Sequence, residues 1–145
     1  MGYVTWSVNG YGTCVEQLRP SLKKVKKLIS RAPEFEKELE KYFEDNDITV
    51  PTINDYLECD QDNNAGIAYI LKRVMSEAEN IEFTCAEDYD CNWYLLLCPS
   101  YPWYNNTEEE KSLTEKTTRE MMKKYISILS DIELEFDYQS VENGG

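Results

Sequence analysis

Glu133, Glu135 and Asp137 alternate with Ile132, Leu134, Phe136 and Tyr138. In an extended chain these carboxylates stand on one face about 6.8 Å apart, twice the strand rise. Fixed negative charges at such intervals can imitate a nucleic-acid backbone, whose phosphates recur about every 3.4 Å along each DNA strand. Glu82 extends the row, and Glu87, Asp88 and Asp90 cluster at the tip of the hairpin that would carry it. These residues either offer electrostatic capture of a basic surface or form an ordinary solvated strand face kept acidic for solubility.

Catalytic chemistry has far less to work with. The chain contains no histidine, which removes the Ser-His-Asp and Cys-His relays, imidazole metal sites and the commonest general base. No cysteine sits in a CxxC, and neither a glycine-rich phosphate loop nor GxSxG occurs. A non-enzymatic protein is expected, with no catalytic residue, no metal and no cofactor assigned.

Asp60-Gln61-Asp62-Asn63-Asn64 and Asp88-Tyr89-Asp90-Cys91-Asn92 both begin like an EF-hand loop. Both then fail, because the sixth position is Ala65 or Trp93 rather than Gly and the twelfth is Leu71 or Pro99 rather than Glu. They read as polar loops. Cys85, Cys91 and Cys98 are separated by five and six residues, outside the spacing of a zinc knuckle, and read as small buried thiols on strands.

Two further groups bear on binding. Tyr101, Trp103 and Tyr104 lie in a loop pinned by Pro99 and Pro102, where large aromatics either anchor an interface or fold back on the core. Lys23, Lys27 and Arg31 fall at i, i+4 and i+8 with Lys24 beside them. This stripe either binds phosphates or pairs with Glu34, Glu36, Glu38 and Glu40 on the following helix.

The elements that must position these residues follow from periodicity. Tyr3 to Val8 alternates as a strand closed by Gly10-Tyr11-Gly12. Thr13 with Glu16 forms a capping box, predicting a helix or kinked pair from about Thr13 to Ala32 that Pro33 ends. Glu34 to Asp45 is an amphipathic helix, Thr52 with Asp55 caps a short one through about Glu58, and Ala65 to Glu79 forms another. Ile81 to Cys85 and Cys91 to Cys98 are strands of a hairpin. Thr107 with Glu110 opens a helix to about Leu129, with Leu113, Met121, Tyr125, Ile128 and Leu129 inward. A last strand runs through Ile132 to Gln139.

That order, β-α-α-α-α-β-β-α-β, predicts an α+β fold with a mostly antiparallel sheet of about four strands and helices packed on one face. At 145 residues the chain is expected to form a single domain over 1–145, with 142–145 a frayed C-terminal tail.

The formal net charge is −13, a surface that repels nucleic acid and anionic lipid and attracts basic partners. It is unevenly spread, since residues 1–33 hold six Lys or Arg and a single acid, Glu16. Five cysteines at irregular spacing indicate free thiols in a reducing compartment. The N-terminus has neither a charged leader nor a long apolar run, and the longest apolar stretch, Trp93 to Leu97, is too short to span a bilayer. A cytoplasmic protein is expected.

Strong acidity, small size, no histidine and the opening Gly2-Tyr3-Val4-Thr5-Trp6-Ser7-Val8-Asn9-Gly10-Tyr11-Gly12 resemble the small acidic proteins of phages and mobile elements in low-GC bacteria, anti-CRISPR inhibitors among them. Those inhibitors share no common motif, so the resemblance transfers no residue roles. It implies a non-enzymatic inhibitor of a defence nuclease, most plausibly a CRISPR effector, whose basic channel an acidic surface would block without direct nucleic-acid or membrane binding. The competing expectation is a small-ligand binder using the aromatic loop and the basic helix, or a phage adaptor protein.

Overall fold

The computed structural model describes residues 5–98 and 113–144. Along them run β1 (Thr5–Cys14), α1 (Leu22–Ile29), α2 (Pro33–Asp45), α3 (Ile53–Leu57), α4 (Ile67–Glu79), β2 (Thr84–Glu87), β3 (Trp93–Leu97), α5 (Glu115–Leu129) and β4 (Asp137–Gly144). The strands pair antiparallel in the order β2-β3-β1-β4. The protein is therefore α+β, with α4 packed against β2 and β3 and α5 against β1.

β1 departs most from expectation. Gly10-Tyr11-Gly12 does not end the strand, and Thr13 does not cap a helix. The strand continues to Cys14, because the glycines let it lie almost on top of β3. A Cβ at Gly12 would sit 1.9 Å from the Leu95 carbonyl oxygen, and one at Gly10 would sit 2.7 Å from that of Leu97. A glycine inside a strand marks such a close backbone approach. Tyr11 and Gly12 are thus paired on both sides, to Leu97 and Leu96 of β3 and to Tyr138 and Asp137 of β4. β2 and β4, the two outer strands in pairing order, come into contact, so the sheet is curled. Its helix-facing side joins the main core through Leu95. The other side buries Ala86, Leu96 and Val141 with Val8, Tyr94 and Cys98 packed around them.

The expected helix from Thr13 to Ala32 shrinks to α1, capped by Ser21, whose side chain accepts from the Lys24 N–H. Pro33 opens α2 instead of closing the preceding helix, the position where a missing N–H is harmless. Ala32 gives α2 no side-chain cap. That role falls to Glu77 of α4, whose carboxylate accepts from the Glu34 and Phe35 N–H groups at 3.0 and 2.9 Å. A carboxylate at a helix N-terminus satisfies open donors and complements the helix dipole. The Thr52–Asp55 capping box of α3 is present as expected.

α5 begins with a Thr114–Thr117 box; Thr107 and Glu110 lie outside the described residues. Its buried face is turned from the expected one, with Met122 and Ile126 inside and Met121 and Ile128 only half-buried.

At the C-terminus the expected strand over Ile132 to Gln139 starts and ends too early. Residues 130–136 make no ladder, and β4 starts at Asp137, which opposes Gly12. Of the alternating apolar set, Leu134 is buried and Phe136 packs on the core, whereas Ile132 and Tyr138 are exposed. β1 ends two residues beyond Gly12, so residues 130–134 have no strand to oppose, and its last two residues, Thr13 and Cys14, pair with β3 alone. Residues 142–144, expected to fray, instead pair with Ser7, Trp6 and Thr5.

The glycine crossing yields a direct test. Gly12→Ala should destabilise the protein by about 3 kcal/mol in urea unfolding, because overpacking against backbone has no side chain to move aside. A loss under about 0.5 kcal/mol, the range of an innocuous surface change, would contradict the crossing.

Candidate functional site

The carboxylates singled out from sequence sit at different ends of the sheet. Glu87 opposes Trp93, and Cys14 opposes Tyr94. The end of β2, the start of β3, the end of β1 and the start of β4 therefore share one end. This end carries Glu87, Asp88 and Asp90 on the hairpin, and Asp137 with Glu133 and Glu135 just upstream of it. Because the sheet is curled, Ala86 and Glu87 come beside Val8 and Val141, and Asp137 lies four residues back along β4, about 13 Å from Val141 at strand rise. Glu82 precedes β2 at its far end, about 16 Å from Glu87 at strand rise, and does not join them. Glu133 and Glu135 are exposed but not on a strand, so the regular carboxylate ladder is absent. Glu133 lies 3.9 Å from Lys123, with both side chains largely in water, a pair of little energetic weight.

Asp88 is the organiser of the hairpin tip rather than a free charge. Its carboxylate accepts from the Asp90 and Asn92 N–H groups, each at 2.9 Å, and the Asp88 N–H donates to the Asn92 carbonyl at 3.0 Å. Asp90 is left exposed. Asp60 plays the same part before α4, accepting from the Asp62, Asn63 and Ala65 N–H groups. The two segments that begin like calcium loops thus spend their first carboxylate on their own backbone, as Asx turns do.

Beside the hairpin tip opens a cleft of about 610 Å³ lined by Glu16, Glu87, Trp93, Arg19 and the start of α4. Glu16, expected to close a capping box with Thr13, instead accepts from the Trp93 N–H through Oε1 at 2.9 Å. Arg19 turns its guanidinium onto the carbonyls of Glu16 and Leu18. Neither Glu16 nor Trp93 carried a binding signal in the sequence, since the contact that joins them spans 77 positions and no local spacing encodes it. A second cavity of about 370 Å³ lies alongside β2 between Asp60, Asp62 and Glu87.

The basic stripe also differs from one of its readings. Lys23, Lys24 and Lys27 are exposed on α1, and Arg31 lies beyond its end. Among the described residues no ion pair links the stripe to α2. Glu38 pairs instead with Arg73 of α4, whose guanidinium lies 4.7 Å from the Phe35 ring centroid and bonds the Tyr69 hydroxyl at 2.7 Å. Tyr101, Trp103 and Tyr104 lie outside the described residues.

The cysteines are free, as expected, but not all are buried on strands. Cys91 is exposed in the hairpin loop at φ 63°. Burial pushes the Cys59 thiol up to about 11, helped by the Asp60 charge, and the Cys85 thiol up to about 12. Because the thiolate is the reactive form, a disulfide dye at about pH 8 should label Cys91 fast and leave Cys59 and Cys85 slow until unfolding. Persistence of the fast phase in Cys91→Ser would contradict this ordering. Compared with known proteins, the chain matches no family model, no curated protein and no solved structure.

Proposed function

We propose that this chain is a non-enzymatic inhibitor that presents the acidic end of its sheet to a basic nucleic-acid-binding channel, with an RNA-guided defence nuclease as the target class. The observation that carries the reading is the gathering of carboxylates from two distant segments, 87–90 and 133–137, at one sheet end of a chain whose net charge is −13. The mimicry differs from a ruled strand of charges. The acids stand on a hairpin tip and on the segment leading into β4, so the surface competes by field and shape rather than by copying phosphate spacing. Complementary fields steer encounter and exclude the nucleic acid that the channel would otherwise hold.

A small-ligand binder is favoured by one observation, the cleft of about 610 Å³, a volume typical of ligand pockets. Its described walls, however, do not include the basic stripe expected for that role.

The test is inhibition of guided DNA cleavage, with DNA displacement measured alongside. Glu133→Gln, Glu135→Gln and Asp137→Asn remove charge from exposed positions, and Glu87→Gln with Asp90→Asn does so at the hairpin. Each lost contact with a partner cation should weaken inhibition by about 1–3 kcal/mol, the range for charged hydrogen bonds. Wild-type affinity should also fall steeply with salt, since exposed charges are screened over about 8 Å at physiological ionic strength. Full inhibition by a folded variant carrying all these changes would overturn the proposal.

A further inference from the structure

We propose that the cleft beside the hairpin receives an arginine side chain of the partner, an inference that rests on the inhibitor reading above and names what the acidic surface grips. Trp93 stands between two carboxylates. Glu87 is its cross-strand neighbour, so their Cβ atoms lie about 5 Å apart on one face. Glu16 flanks it on the β1 side, where the Glu16 carboxylate is held by the Trp93 N–H at 2.9 Å and the Val15 N–H donates to the Trp93 carbonyl at 3.0 Å. Val15, Leu18 and Ile67 supply apolar wall. A cleft that gathers an indole and two carboxylates over an apolar wall offers a cation an aromatic surface and hydrogen-bond acceptors together.

Guanidinium suits this arrangement better than ammonium. Its plane can stack on the indole while its edge donates to a carboxylate, and it sheds water more readily. Arg19, a cation on the same wall, is held on backbone carbonyls and lowers the net attraction without filling the cleft. The volume of about 610 Å³ exceeds one side chain, so the occupant is an arginine carried on a peptide segment. α4 starts at this wall without a side-chain cap, where an entering peptide carbonyl can meet its first N–H groups.

Two capped probes separate this grip from bulk attraction, hexa-arginine and hexa-lysine, titrated at about 50 mM salt where long-range charge effects act on both alike. Hexa-arginine should bind about tenfold tighter, the size of a partly desolvated cation–π contact with its hydrogen bond. Glu87→Gln and Glu16→Gln should each erase most of that preference, and Glu16→Gln keeps an oxygen for the Trp93 N–H. Trp93→Leu should do the same where circular dichroism shows it folded. The Glu133→Gln, Glu135→Gln, Asp137→Asn variant should weaken both peptides and keep the preference. Equal affinity for the two peptides, or a preference untouched by Glu87→Gln and Glu16→Gln, would overturn the arginine site while leaving the acidic-surface reading standing. Binding of neither peptide would overturn both.

Discussion

Where β1 crosses β3 the backbones approach so closely that the Cβ absent from Gly12 would lie 1.9 Å from the Leu95 oxygen. This contact is available only to glycine, and the rest of the sheet depends on it. It lets β1 pair with both neighbours at Tyr11 and Gly12, giving its later half to β3 and its earlier half to β4. The sheet can then curl until β2 meets β4, burying Ala86, Leu96 and Val141 on the side away from the main core. The same pairing fixes which strand ends lie together, and with them the acidic segments.

On the helical side, stability comes from contacts that cross between elements. Glu77 of α4 caps α2, and Arg73, one turn earlier on the same helix, stacks on Phe35 and pairs with Glu38. Two residues on α4 thus fix the position of α2. Tyr125 of α5 donates to Glu79, and the resulting burial beside a carboxylate raises the Tyr125 pKa. α4 is in this sense the strut against which α2, α5 and the hairpin are all placed.

Local signals were legible and long-range ones were not. The run of β-formers around Leu95, the helical spacing of Ile67 to Met75 and the Thr52–Asp55 box each encode an element within a few residues, and each is present. Gly10 and Gly12 misled because glycine ends strands and permits close crossings with the same lack of a side chain; only the identity of the neighbour, β3, decides. Thr13 and Glu16 have capping-box spacing, yet Thr13 is claimed by pairing with Leu95 and Glu16 by Trp93. The alternation of Ile132 to Tyr138 could not report whether a partner strand reached it, and the ladder takes up only its last two residues, Asp137 and Tyr138. The hairpin carboxylates could be picked out from sequence, whereas the cleft could not, since its walls are contributed by segments far apart in the chain.

The charge distribution gives this scaffold a direction. A curled sheet with acids at one end and lysines on α1 orients itself in the field of a basic channel before any contact forms. Hydrogen–deuterium exchange of the protein alone and bound to an RNA-guided nuclease tests that orientation most directly. The account predicts slowed exchange over residues 86–94 and 135–138 in the complex, with α1 and α2 unchanged. Protection confined to residues 22–45, with the hairpin tip exchanging as in the free protein, would contradict it.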